Sequence, residues 1–285
     1  MRIQFTKMHG CGNDYIYVDM FKTPAFDFEK AAVALSDRHF GIGGDGIILV
    51  CPSDKADAKM RIFNADGSEG MMCGNGIRCV GKYVYDSGIA KKDVLKIDSL
   101  SGVKTLQMTI ENGKAVAARV DMGPAILTPA LIPVNLPGET AVGVPINADG
   151  IQRKMTCVSM GNPHAVIFVD EDPMELYLPA IGPKFEHHPL FPQRVNTEFV
   201  RVIDDHTLQM RVWERGSGET WACGTGTCAS AVAAVLNGYC RKGEDILVHL
   251  RGGDLVIRYT DETVYMTGPA ATAFTGSVEL SDYGI

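Results

Sequence analysis

The 285-residue sequence has no stretch near the ~18 consecutive apolar residues that a membrane-spanning helix needs. Its opening residues, Met1-Arg-Ile-Gln-Phe-Thr-Lys-Met-His9, mix charged, polar and apolar types and lack the apolar run of a secretory signal. No membrane partner is expected, and the expected location is cytoplasmic. Excess basic charge is missing too: 27 Lys+Arg stand against 34 Asp+Glu, a net charge of −7. Gripping phosphate backbones requires a basic surface, so nucleic acid is not an expected partner. Small anions are a different matter, because backbone amides can hold them locally. Disorder is excluded by a hydrophobic content of 46%, enough for a packed core. In a reducing compartment the eight cysteines are expected as free thiols rather than as a disulfide framework.

A short-period repeat is absent, but a long one is present. Met60-Arg-Ile-Phe63 returns as Met210-Arg-Val-Trp213, and Cys73-Gly-Asn-Gly76 returns as Cys223-Gly-Thr-Gly226, both at an offset of 150. Gly12-Asn13 returns as Gly161-Asn162, offset 149, and each precedes an apolar run ending in Asp. Asp93-Val-Leu95 matches Asp245-Ile-Leu247, and Gly123-Pro-Ala125 matches Gly268-Pro-Ala270. Several matches in one order, with offsets near half the length, indicate two copies of one domain. The expected division is 1–125 and 141–275, with a proline-rich linker over 126–140 and a tail over 276–285. Prolines in the linker discourage helix and central strand alike.

Each copy reads as the same series of elements. Strand-like runs open it (Ile3–Met8 and Tyr15–Met20 in the first). A helix over Asp27–Arg38 follows there, then a hairpin, Gly46–Pro52 with Lys59–Asn64, matched by Glu198–Ile203 with Thr207–Glu214. After a glycine-rich turn comes a helix, Ile77–Tyr85 or Thr227–Leu236, and three more strand-like runs. Strands outnumber helices and many connections suit hairpins, which predicts an α+β fold with antiparallel-rich sheets.

Cys73 and Cys223 each stand between a strand and a helix, followed by glycines that let the backbone turn tightly. A helix N-terminus offers amides without intrahelical partners and about half a positive charge. A thiolate there is stabilised, its pKa able to fall from ~8.5 into the ~3.5–7.5 range, and a ligand carboxylate can bind the same amides. If the two copies face each other about a pseudo-twofold axis, one thiol would stand on each face of the carbon beside that carboxylate. Stereoinversion needs that arrangement: a base on one face, an acid on the other.

The ordered motifs resemble those of the diaminopimelate epimerase family over almost the whole chain. They include Lys7-Met-His-Gly-Cys-Gly-Asn-Asp14, Gly41-Ile-Gly-Gly-Asp45, Phe63-Asn-Ala-Asp-Gly-Ser-Glu69 and Cys73-Gly-Asn-Gly-Ile-Arg-Cys79. Further on stand Gly161-Asn-Pro-His164, Arg194-Val-Asn-Thr-Glu198, Trp213-Glu-Arg-Gly216 and Ala222-Cys-Gly-Thr-Gly226. The resemblance implies two pseudo-symmetric domains, each a strongly curved mixed sheet around a central helix, with the active site in the cleft between them. It implies a homodimeric isomerase that converts LL- to meso-diaminopimelate for lysine and peptidoglycan-precursor synthesis, with neither cofactor nor metal. It assigns catalysis to Cys73 and Cys223, thiol tuning to His164 and Glu214, and carboxylate binding to Gly74, Asn75, Gly224 and Thr225. It assigns further substrate contacts to Asn13, Asn64, Asn162, Asn196, Glu214 and Arg215. Many relatives carry glutamine where this chain has Gly46, so that contact is expected to be lost or taken over by backbone or water.

Two other readings use the same residues. A proline- or hydroxyproline-type racemase would need the thiol pair but not the far-end anchors. A duplicated metal module would use the cysteines as ligands, but of the spacings Cys73-x5-Cys79 and Cys223-x4-Cys228 only the second fits the usual zinc pattern. Cys79 and Cys228 are expected in the core. The Gly41–Gly46 loop looks like a phosphate cradle but lacks the Lys-[Ser/Thr] ending of a nucleotide loop.

Overall fold

A computed structural model describes residues 1–148, 150 and 152–285. The chain forms two compact units, Met1–Val120 together with Gly268–Ile285, and Asp121–Thr267. Both are α+β and mainly antiparallel, as the strand-rich patterning predicts.

In the first unit β1 (Arg2–Gly10) and β2 (Asn13–Asp19) form a hairpin. Its turn, Cys11-Gly12, has both residues at positive φ (53° and 79°), which turns the chain so that Asn13 opens β2. Helix α1 (Phe28–Ser36) is capped by Asp27, whose carboxylate accepts the Lys30 N–H at 3.1 Å. Strand β3 (Gly46–Cys51) runs parallel to β2 and antiparallel to β4 (Ala58–Asn64), and the short β5 (Glu69–Gly70) folds back on β4. After helix α2 (Gly74–Asp86) come β6 (Val94–Asp98), β7 (Lys104–Glu111) and β8 (Lys114–Asp121), which pair in antiparallel succession.

The second unit repeats the scheme. Strands β9 (Val144–Asn147), β10 (Gln152–Ser159) and β11 (Pro163–Phe168) lead to helix α3 (Leu178–Glu186). Strand β12 (Asn196–Asp204) runs parallel to β11 and antiparallel to β13 (Thr207–Glu214), with the short β14 (Gly218–Thr220) beside it. Helix α4 (Gly224–Leu236) follows, then the antiparallel β15 (Asp245–Leu250), β16 (Gly253–Tyr259) and β17 (Val264–Pro269). Helix α4 is apolar almost all round, and its residues from Thr227 to Ala234 are buried. A helix of that kind is held by its surroundings rather than by propensity. Each fully buried valine, such as Val232, contributes roughly 1.5–3 kcal/mol of transfer free energy.

The structure differs from the sequence reading in four places. Both central helices start earlier than expected, at Gly74 and Gly224 instead of Ile77 and Thr227. The glycines lower propensity but sit in the first turn, where a cap can compensate. Helix α3 is unheralded because Pro179 and Pro183 mask it; Pro179 is tolerated in the first turn, where an N–H is not needed. The proline-rich stretch 126–140 is part of the second unit, its Ile132 and Val134 buried in that core. Finally, strand β18 (Ala271–Glu279) pairs with β1 from Arg2↔Glu279 to His9↔Ala271, so the chain end belongs to the first unit.

Gly46 opens β3 opposite Asn64 with φ 154°. A Cβ there would overlap the Phe63 carbonyl oxygen and lie 3.0 Å from Tyr15 Cε1. Backbone therefore fills the space that a side chain would need. Gly46→Gln should destabilise the protein by about 1–3 kcal/mol through overpacking, read as a lower midpoint in urea denaturation. An unchanged midpoint would mean that the β3–β4 pair moves aside freely.

Candidate active site

In each unit an extended cysteine precedes the central helix and caps it. Cys73 has φ −128° and ψ 118°, and its Sγ accepts the Gly76 N–H at 3.3 Å. Cys223 has φ −114° and ψ 110°, and its Sγ accepts the Gly226 N–H at 3.4 Å. The extended cap residue and helical successor turn the first-turn amides toward the sulfur. The glycine at the third helical position lets the first turn lie close against a strand side chain. A Cβ on Gly76 would come 2.6 Å from Ile48 Cδ1, and one on Gly226 would come 2.5 Å from Glu198 Oε1.

Around Cys73 the partner is Asn13, whose Oδ1 lies 3.2 Å from the sulfur. The amide nitrogen of Asn13 donates to Asp45 Oδ2 at 2.7 Å, which fixes the amide orientation. Asp45 in turn accepts the Asp14 N–H at 3.1 Å and meets Arg38 at 3.0 Å. Asp14 is bridged by Lys7 at 2.6 Å and Arg38 at 2.7 Å. Burial alone would raise the Asp14 carboxyl, but Arg38 and Lys7 together hold it below the usual carboxylate range. Lys7 Nζ also donates to the Gly43 carbonyl, so the glycine loop closes over a lysine of its own fold. Asn75 is buried in the first turn of α2. Asn64 is turned into its own hairpin, donating to Ser68 Oγ at 3.1 Å, and among the described contacts it is not joined to the Cys73 cluster.

Cys223 sits in a more acidic setting. Thr225 Oγ1 lies 3.5 Å from its sulfur and accepts from Asn162 Nδ2 at 3.2 Å. Asn162 Oδ1 meets His164 Nε2 at 3.0 Å, and His164 Nδ1 meets Glu198 Oε1 at 2.7 Å. Glu214 accepts from the Thr220 hydroxyl. Burial raises the Glu214 carboxyl, and the Glu198 charge adds to it against the opposing pull of Thr220, His164 and Cys223. Burial pushes the Cys223 thiol well above its ordinary value, and Glu214 and Glu198 push it further. The Thr225 hydroxyl and Gly226 amide pull the other way and lose. This corrects the expectation of a depressed thiol at both helix starts: at Cys223 desolvation and two carboxylates outweigh the helix terminus.

Asn196 is buried, its amide donating to the Pro163 carbonyl at 2.9 Å and accepting the Arg215 N–H at 2.8 Å. It fixes the backbone at Arg215, whose guanidinium donates to the Gln193 carbonyl at 3.0 Å on an exposed surface. Cys79 and Cys228 are fully buried in their helices, and burial pushes Cys79 up to about 11. Sequence reasoning missed Glu198, Thr220 and the Asp45 brace. A signal for Glu198 existed: at the repeat offset its counterpart is Ile48, an apolar residue in the matching strand.

The family model for diaminopimelate epimerase matches residues 5–128 and 156–273. The chain is 55% identical to the diaminopimelate epimerase of Acetivibrio thermocellus, over 98% of this chain and 100% of that one. It is 52% identical to a diaminopimelate epimerase of Methanococcus maripaludis, again over 98% of this chain and 100% of the relative. Among solved structures it resembles a probable proline racemase from Agrobacterium radiobacter, with a TM-score of 0.74 and 16% identity, covering 98% of this chain and 93% of that one. A methylitaconate-delta-isomerase is similar at a TM-score of 0.67 and 16% identity, covering 99% and 97%. Identities that low speak for a shared fold alone. The match through both repeats, with the two capped cysteines standing where the motifs put them, shows that this chain belongs to the diaminopimelate epimerase family.

Proposed function

We propose that the protein epimerises LL-diaminopimelate to meso-diaminopimelate, with Cys73 and Cys223 as the two proton-transfer groups. The observation that carries the reading is the repeated helix-capping cysteine, found in a chain matched through both repeats by the family. A thiolate takes the α-proton, forming S–H as the C–H bond breaks. A thiol then delivers its proton to the opposite face, and the reverse reaction exchanges the roles. Burial and the neighbouring Glu214 and Glu198 carboxylates favour the thiol form at Cys223. First-turn amides at Gly74-Asn75 and Gly224-Thr225 suit the reacting carboxylate and the charge that develops beside it. His164 and Glu214 tune the second thiol. Asn13, Asn64, Asn162, Asn196 and Arg215 are the substrate contacts; the Arg215 fork suits a distal carboxylate. These side chains supply every proton the reaction moves, so it calls for neither pyridoxal phosphate nor metal. The working form is a cytoplasmic homodimer serving lysine and peptidoglycan-precursor synthesis, and light scattering after size exclusion would reveal a monomer if this is wrong. Among the described residues no helix is long and apolar enough to cross a membrane.

Turnover in deuterated water should place deuterium on the epimerised α-carbon. Cys73→Ala and Cys223→Ala should each lose about 10²–10⁴-fold or more in kcat, the usual worth of a positioned acid or base. Full activity in either variant would refute the two-base reading. Turnover of proline or hydroxyproline in preference to diaminopimelate would redirect it to the racemases.

Glu214 generates a stability prediction. A carboxyl whose folded pKa is raised binds its proton more tightly in the native chain than in the unfolded one. Its contribution to stability is full at low pH and fades as pH climbs through the raised value. Glu214→Gln cannot ionise, so its Tm should fall less than that of the wild type as pH rises through the titration of the raised carboxyl. Parallel Tm–pH curves would contradict this. The same variant should lose activity.

A further inference from the structure

We propose that Glu198 is a positioning residue for this reaction: its buried carboxylate clamps His164 and, through His164, Asn162 and Thr225, aims a hydroxyl donor at the Cys223 sulfur. The inference rests on the function proposed above.

The polarity of the chain of contacts follows from its donors and acceptors. Asn162 gives its Nδ2 to Thr225 Oγ1 at 3.2 Å, so its Oδ1 faces His164 Nε2 at 3.0 Å. An amide oxygen only accepts, which requires a proton on Nε2. Thr225 Oγ1 receives the Asn162 proton, leaving its own hydroxyl hydrogen for Cys223 Sγ at 3.5 Å. At the far end His164 Nδ1 and Glu198 Oε1, 2.7 Å apart, share one proton between them. The Nε2–H turned to Asn162 is set by the Asn162 amide, and the Glu198 carboxyl holds the ring at its other nitrogen. Without an acid at position 198, Nδ1 loses the partner that holds the ring in place, and the ring is free to turn or change tautomer. Asn162 would then turn its amide over, and Thr225 would present a lone pair to the sulfur instead of a hydrogen. A donor to a developing thiolate would become an acceptor.

The other repeat indicates that the fold does not require this acid. At the repeat offsets of 149 and 150, Tyr15 stands for His164 and Ile48 for Glu198. The two positions lie under the same turn: a Cβ on Gly76 would meet Ile48, and one on Gly226 would meet Glu198. One copy fills the space with hydrocarbon. The other buries a histidine–carboxylate pair with both side chains at 0% exposure, an arrangement that is often no more stable than a hydrophobic replacement of similar volume. Among the described residues, Glu198 Oε2 is buried with no hydrogen-bond partner. The titratable groups that face Glu198 are His164, Glu214, Cys223 and Cys157. None of them is a permanent cation.

Glu198→Leu tests the inference in the full-length enzyme. We expect kcat for diaminopimelate to fall about 10²-fold, the scale of a misplaced catalytic group, with KM little changed and the pH profile of kcat displaced. Glu198→Gln, which can still hydrogen-bond His164, should recover part of the loss. A merely structural role would lower Tm and leave the kcat profile of the folded enzyme in place; that result, or full kcat in Glu198→Leu, overturns the proposal. Should Glu198→Leu not fold, the kcat and pH profile of Glu198→Gln decide in the same terms. Nitrogen-15 spectra of labelled histidine give a readout that needs no substrate. His164 should carry its proton on Nε2 in the wild type, and a wild-type ring protonated on Nδ1 alone overturns the inference. A wild type with that Nε2 proton but no turnover of diaminopimelate would instead sink the functional reading.

Discussion

A buried helix cannot start without acceptors for its first-turn amides, and in both units the acceptor is a sulfur. Cys73 takes the Gly76 N–H and Cys223 takes the Gly226 N–H. Serine, threonine, aspartate or asparagine would do this better, by about 1 kcal/mol over a residue that cannot cap. Sulfur is a weak acceptor at long range. Its use at both helix starts gives up capping strength for a group that, in the proposed reaction, holds and releases a proton. The glycines follow from the same constraint, since the helix must pack its first turn directly on a strand residue, Ile48 or Glu198.

Equal backbones carry unequal surroundings. The first unit braces its asparagine with a network of two cations and two carboxylates, Lys7 and Arg38 against Asp14 and Asp45. The second surrounds its cysteine with Glu198, Glu214 and His164. Two identical thiols cannot begin a two-base reaction in identical states, because one must be charged and the other not. In the proposed reaction the acidic setting of Cys223 would favour its protonated form, while the cap geometry stays alike in both units. Duplication supplies the matched pair, and divergence at a few buried positions supplies the difference.

Much of this is legible in the sequence. The offset of 150 located both cysteines, the hairpins β3–β4 and β12–β13, and the α+β class, because those features rest on local periodicity and on turns that glycine marks. What escaped was set by tertiary context. Helix α3 hides behind Pro179 and Pro183. The first turns of α2 and α4 look like loops because glycine is a poor helix former. Strand β18 joins β1 across nearly the whole chain, and pairing at such separation leaves no local trace. The site residues divided the same way. Asn13 and Asn162 stand against their thiols or the thiols' partners, while Asn196 is occupied in holding backbone and Asn64 in its own turn. Side-chain chemistry suggested a ligand role for all four, and only packing reveals which partners each amide holds within the chain. Glu198 went unassigned for the converse reason: a glutamate in a strand reads as solvated until burial is known.

Burial also explains why the acidic cluster is set one layer beneath the thiol. Each desolvated carboxylate costs stability and raises its own affinity for a proton, as Glu214 illustrates. Near the surface the same charges would be screened by water and salt and would act only weakly on the sulfur. Beneath the helix start they act through a low-dielectric medium. At this spot the second unit therefore carries a desolvation cost that Ile48, in the place of Glu198, spares the first.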